Sequence, residues 1–476
     1  MSLSNFYFLP FLIIVIIGYA LLAKYAKNKQ KSICCFLVIM SYGFIGLTIF
    51  YYSVILAVVS FITWLSAVEI EKYESKRCLI TKISVVSLLL LLGVFKYYNF
   101  FIDSVNIFCG NNNLHTVKIL LPLGISFYIF SGISYILDVY RNKYCCNKSV
   151  LDVFLYMGFF PKLLAGPIVR ANVFFEQLPR ITDFKLKNLE FGIQIFVIGL
   201  FKKMVLADHL SVFADDIFYA PVAYSSLSLF WGVITYSLQI YFDFSGYSDM
   251  AIGVAKIFGF EFERNFNYPY LSKSVTEFWK RWHISLSSWL QEYLYYSLGG
   301  NRKGLILTYV NLFLTMLIGG LWHGAAWTFV VWGALHGLGL IIHKLFMRWK
   351  QLVFGDKKAT NIIWNIVSIF ITYLFSLICW IFFRASDFDN AFSIIKGIGC
   401  NQDGIWQPYT WTFISLILLI IASIIHINRK QGEGFYMNYP IQNLSTIRGQ
   451  IIFLLLIGVT VIFAYVGNTA FIYGNF

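Results

Sequence analysis

The stretch from Leu305 to Leu321, LILTYVNLFLTMLIGGL, is apolar on every face of a helix, and Ile451 to Tyr465, IIFLLLIGVTVIFAY, has the same character. A run of about 18–22 such residues can cross a hydrocarbon core as a helix, which satisfies its own backbone groups where no water is present. The strands of a membrane barrel would alternate apolar and polar side chains over about ten residues, and these stretches do not. Apolar runs recur from Phe6 to Tyr473 without a polar block long enough to build a second fold. Composition agrees. Of 476 residues, 59% are apolar and 13% charged, against roughly 45–50% and about 25% in a soluble domain. The expectation is an all-α, polytopic membrane protein of about 11–12 transmembrane helices, forming one membrane domain over 1–476. Residues 1–150 supply N-terminal helices, 151–350 a motif-bearing core and 351–476 C-terminal helices.

The chain carries 37 Lys and Arg against 23 Asp and Glu, a net charge of +14. In a soluble protein this balance would suggest nucleic acid as partner. Here the basic residues fall between apolar runs, where the positive-inside rule accounts for them, so the expected partner is the bilayer and not nucleic acid. Lys24–Lys31, Glu69–Lys82 and Arg141–Lys148 are basic loops and read as cytoplasmic, while the weakly charged Asp103–Thr116 reads as external. With two short crossings between Ile33 and Val68, the N-terminus lies outside. Phe6–Ala23 follows a start without a basic residue, so it lacks the charged opening of a cleaved signal and reads as the first membrane helix. The eight cysteines show neither metal-ligand nor disulfide spacing.

Polar residues at membrane depth are costly and therefore candidates for function. Leu151–Val169 is apolar but interrupted by Gly158, Pro161, Gly166 and Pro167, which predicts a broken, re-entrant segment. From Glu277 to Tyr293 the residues Phe278, Trp279, Trp282, Leu286, Trp289, Leu290 and Tyr293 share one helical arc, which predicts an interfacial amphipathic helix with His283 at its edge. That helix is either an anchor or, through Lys280 and Arg281, a contact for an anionic substrate. In Gly319-Gly320-Leu321-Trp322-His323-Gly324, continuing to Trp327, Trp332 and His336, glycines flank a histidine and let backbone or ligand approach closely. A lone histidine in a membrane commonly bonds a neighbouring helix. With glycines and tryptophans around it, a neutral imidazole is also available as a base. Asp243 and Ser245 are buried-polar candidates, either helix-terminal or functional. His336 and His343, seven residues apart, are too widely spaced along a helix to share one metal, and no metal site is expected.

Several motifs, in order, resemble the membrane-bound O-acyltransferase (MBOAT) superfamily and its bacterial alginate O-acetyltransferase (AlgI-like) branch. They are Phe160–Arg170, Phe242–Tyr247, Phe266–Tyr270 leading through Glu277–His283 to Gly299–Arg302, Gly320–Gly324, Phe382–Ala385 and Phe471–Tyr473. The resemblance implies helices around a central funnel or tunnel, with His323 as the catalytic histidine. Arg281, Trp282 and His283 match the family's second motif, and Asp243, Ser245, Trp322, Trp327 and His336 are candidate supporting or tunnel residues. It implies no bound cofactor. The donor would be acetyl-CoA or another acyl thioester, and an extracytoplasmic SGNH-type transferase or esterase protein would be the partner. The location would be the bacterial cytoplasmic membrane, and the function O-acetylation of a surface polysaccharide (alginate-like, peptidoglycan or another exopolysaccharide). Alternatives are DltB-like D-alanyl transfer to teichoic acid and a lipid or polysaccharide flippase. Gln291-Glu292, Tyr296-Ser297 and Gly474-Asn475 depart from the branch's usual pattern.

The threading is open to labelling. Single cysteines in a Cys-depleted variant should react with an impermeant maleimide in intact cells at Asp103–Thr116 and stay unlabelled at Lys24–Lys31, Glu69–Lys82 and Arg141–Lys148. The reverse pattern would invert the topology.

Overall fold

A computed structural model describes residues 3–110, 114–354, 362–428, 439–467 and 472. Among these, every regular element is a helix: α1 Phe8–Tyr25, α2 Lys29–Gly46, α3 Phe50–Lys72, α4 Arg77–Leu92, α5 Tyr98–Cys109, α6 Ile125–Tyr140, α7 Val150–Gly158, α8 Phe160–Leu163, α9 Ala171–Phe175 and α10 Leu186–Leu200. There follow α11 Asp208–Tyr219, α12 Ser226–Ile257, α13 Val275–Arg281, α14 Ile284–Trp289, α15 Leu305–His323, α16 Trp327–Phe354, α17 Ile362–Arg384, α18 Phe388–Gly399, α19 Thr410–Asn428 and α20 Ile447–Ile462. Seven stretches among the described residues are long and apolar enough to span a bilayer, including Glu74–Cys109 as one 36-residue unit joined by a π-helical turn at Gly93–Tyr97. Ile125–Tyr140 and Ile447–Ile462 are apolar but shorter.

Local chemistry explains where helices depart from expectation. α6 begins only at Ile125, although the chain is already apolar from Ile119, because Pro122 lacks a donor and Gly124 adopts a left-handed φ of 72°. The broken segment at Leu151–Val169 is α7 and α8, separated by a non-helical Phe159 and followed by non-helical chain that is buried from Ala165 to Val169. The expected continuous helix over Glu277–Tyr293 is two helices. Trp282 is extended, and His283 takes the left-handed conformation at φ 42°. Phe471, Tyr473, Gly474 and Asn475 lie outside the described residues.

Contacts sort the chain into two compact units, whose limits cut across the three sequence segments. The first comprises 1–200, 246–263 and 438–459. Within it α10 meets the C-terminal part of α12 backbone to backbone. A Cβ at Gly199 would sit 2.5 Å from the Gly246 carbonyl, and one at Gly192 would sit 2.6 Å from the Gly253 carbonyl.

The second unit comprises 201–245, 264–437 and 460–476. At its centre α15 turns back as α16 through extended Gly324. The two helices touch through glycine. A Cβ on Gly320 would lie 3.0 Å from the Gly333 Cα, and one on Gly333 would lie 2.5 Å from the Met316 carbonyl oxygen. Gly333→Val therefore forces a side chain into backbone and should cost about 1–3 kcal/mol. Thermal denaturation in detergent checks this: a drop of several degrees is expected, and an unchanged transition would contradict the close approach.

Candidate active site

Three histidines and a set of aromatic rings converge inside the second unit. His323, the last residue of α15, is buried, with its ring 4.9 Å from Trp322, 4.9 Å from Trp332 and 5.3 Å from Phe383, edge to face in each case. Trp332 in turn lies 4.8 Å from His336, one helical turn further along α16. The Trp279 indole N–H donates to Nδ1 of His336 at 3.2 Å. His283 is completely buried, 4.6 Å from Phe244 and 6.2 Å from Trp322. Trp322 is thus the shared wall between His283 and His323.

The break that creates His283's position is held from the loop before α13. The Asn265 carbonyl accepts from the Ile284 N–H at 2.9 Å, and its side-chain oxygen accepts from the Ser285 N–H at 3.1 Å. Asn267 donates to the Arg281 carbonyl at 2.9 Å. α13 itself begins where the Ser274 hydroxyl caps the Glu277 N–H, as Ser-x-x-Glu predicts. A left-handed non-glycine residue costs free energy and persists only where its surroundings impose it. Burial also pushes the His283 imidazole down to about 3, so it is neutral at physiological pH.

The remaining candidates divide. Trp282 is fully buried, stacked on Phe278 at 5.6 Å and 4.9 Å from Trp380. Arg281 closes on its own surroundings. Its guanidinium donates to Glu277 Oε1 through Nε at 2.9 Å, and to the Asn267 carbonyl at 3.2 Å. Lys280 is exposed and, with Lys344, borders a cavity of about 490 Å³ whose inner wall includes Trp279 and Met316. Trp327 stands 53% exposed at the start of α16, and Trp332 is the α16 tryptophan against the His323 ring. His343 Nδ1 is 2.8 Å from the Thr276 hydroxyl.

Asp243 and Ser245 lie on α12, flanking the Phe244 that touches His283. Asp243 Oδ1 is 2.6 Å from Lys203 Nζ, which also meets Asp208 at 2.7 Å, with all three side chains buried. Its other oxygen accepts from the Ile472 N–H at 2.8 Å. The sequence reading missed Lys203 and Asp208. A lysine inside the apolar stretch Phe191–Leu206 was the available signal, since buried charge demands a partner.

A family model described as "MBOAT, membrane-bound O-acyltransferase family" matches residues 147–386, which contain every histidine of this cluster. The chain belongs to the membrane-bound O-acyltransferase family. It is 40% identical over 385 residues to the "Probable alginate O-acetylase AlgI" of Pseudomonas syringae pv. tomato, covering 80% of this chain and 70% of that one. It is 35% identical over 437 residues to the "Peptidoglycan O-acetyltransferase" of Helicobacter pylori, covering 83% and 79%. A more distant likeness, 30% over 266 residues, covers 52% of this chain and 62% of the "Teichoic acid D-alanyltransferase" of Streptococcus thermophilus. The protein is therefore a multi-pass membrane O-acyltransferase, an enzyme that uses an acyl donor.

For this acyltransferase the buried Lys203 is a stability determinant. Lys203→Met leaves two buried carboxylates without their cation and should cost about 3–5 kcal/mol. Size-exclusion profiles after a heat step should show early loss of the monodisperse peak. A Lys203→Met protein as stable as wild type would mean that the carboxylates do not depend on the lysine.

Proposed function

We propose that the protein is an O-acetyltransferase of the bacterial cytoplasmic membrane that acetylates a cell-surface polysaccharide, with His323 as the catalytic residue. The observation that carries this is the placement of His323 at the end of α15, buried among Trp322, Trp332 and Phe383, inside the region matched by the family model. The polysaccharide O-acetylation named for the Pseudomonas and Helicobacter relatives favours acetyl over D-alanyl transfer.

The α15–α16 hairpin has a polar, basic end. Arg302 and Lys303 precede α15, while Lys344, Arg348 and Lys350 lie along the last turns of α16. By the positive-inside rule this end faces the cytoplasm. The cavity bordered by Lys280 and Lys344 opens there and suits the anionic head of a thioester such as acetyl-CoA. Its Trp279 wall contacts His336, which leads through Trp332 to His323. His323 takes the proton of an attacking hydroxyl, the hydroxyl oxygen forms a bond to the acyl carbon, and the carbon–sulfur bond breaks. The leaving thiolate then receives the proton from the imidazolium. The donor head stays inside; the attacking hydroxyl is presented from the outer side, and from the ester formed there the acetyl group is moved by an extracytoplasmic SGNH-type protein to a polymer hydroxyl, which releases the first hydroxyl with the proton of the second.

His323→Ala should abolish acetylation while the protein still accumulates in the membrane. Acetyl content of the surface polysaccharide, measured in a deletion strain complemented with the variant, checks this. Near-normal acetylation would remove His323 from the reaction, and persistence of polymer export without acetylation in the wild type would favour a flippase instead.

A further inference from the structure

Two buried N–H groups on neighbouring rings, one of them packed on His323, are left without an acceptor among the described residues. Trp279 Nε1 has only a proton to give, so the His336 Nδ1 that meets it at 3.2 Å must be the unprotonated nitrogen. The imidazole is then the neutral tautomer that carries its proton on Nε2. That Nε2 is buried and has no hydrogen-bond partner among the described residues. The indole N–H of Trp332, equally buried, also has none. Trp332 packs between the two imidazoles, 4.8 Å from His336 and 4.9 Å from His323. Buried donors are nearly always satisfied, and an orphan costs stability for nothing unless a ligand completes it. Two orphans on adjacent rings, the nearer one packed on His323, call for one acceptor oxygen.

We propose that Trp332 Nε1–H and His336 Nε2–H bind the carbonyl oxygen of the acyl thioester and stabilise the negative charge that develops on it. Trp279 is then a positioning residue that fixes the His336 tautomer. As the acceptor hydroxyl oxygen bonds to the acyl carbon, the carbonyl π pair moves onto oxygen, which draws the two N–H donors. When the pair returns, the carbon–sulfur bond breaks, the thiolate leaves, and the proton held on His323 passes to it. The donors change no bonds of their own. Their effect is preorganised electrostatics, strongest in a dry site where no water competes.

This inference rests on the reading of His323 as the base working on a thioester, and the test separates the two. In detergent, with an acetyl thioester as donor, His336→Leu and Trp332→Phe should each lower kcat by about 10²–10³-fold with KM changed less than about threefold, the pattern of a lost transition-state donor. His336→Gln, which keeps an acceptor for Trp279 and an N–H to donate, should recover at least tenfold of the loss. Trp279→Phe frees Nδ1 to take the proton and should lower kcat without emptying the thioester site. Folding is checked by thermal transition. Removing an orphan donor should leave it within a few degrees of wild type, whereas a packing role would lower it together with activity. If His323→Ala is inactive but the His336 and Trp332 variants turn over normally, or if only KM rises, the carbonyl site is overturned while the base survives. If His323→Ala retains turnover, the reading beneath both fails.

Discussion

The contact between Gly320 and Gly333 sets the geometry of the second unit. Helices in a membrane gain little from burying apolar surface against each other and rely on close packing of small residues. Here the approach is so near that a single Cβ on either glycine would collide with backbone. That proximity carries His323, at the end of α15, onto Trp332 and brings His336 of α16 into the same ring cluster. A bulkier residue at either glycine would separate the His323 imidazole from its aromatic walls as well as weaken the hairpin.

The second constraint is the interruption between α13 and α14. An unbroken helix would carry the ring face through, but it would also point the residue at 283 along the helix's own rotation. The extended Trp282 and left-handed His283 redirect the chain, and Asn265 pays for the lost helical hydrogen bonds by taking the freed N–H groups of Ile284 and Ser285. The result is an imidazole enclosed by Phe244 and Trp322, one indole away from His323. Beneath Phe244, the pairing of Asp243 with Lys203 anchors that part of α12.

The sequence made the helices legible because burial in lipid demands runs of apolar residues, and those runs have hard ends at Gly, Pro and basic clusters. It also marked His323 as a candidate, since a histidine between glycines in such a run is costly unless it has a use. The seven residues placed on one arc of Glu277–Tyr293 are all buried. Continuity of that helix was not legible, because the hydrogen bonds that break it come from Asn265, a contact that periodicity does not report. Trp332 against Trp327 was hidden for a similar reason. The turn at Gly324 decides which tryptophan faces the histidine, and helical periodicity does not report that turn. Lys203 carried a local signal as a charge inside an apolar run, but its pairing with Asp243 joins residues far apart in the chain, which periodicity does not report.

The central claim is that His323 meets the acyl group of a thioester within this ring cluster. The most direct measurement is a cryo-electron microscopy structure of the protein with a non-hydrolysable thioether analogue of an acetyl donor. The account predicts density for the acyl end within hydrogen-bond reach of the His323 ring, with the donor head at the cavity bordered by Lys280 and Lys344. Density confined elsewhere, such as the apolar groove of about 790 Å³ between α17 and α19 roofed by Tyr268 and Tyr270, would contradict it.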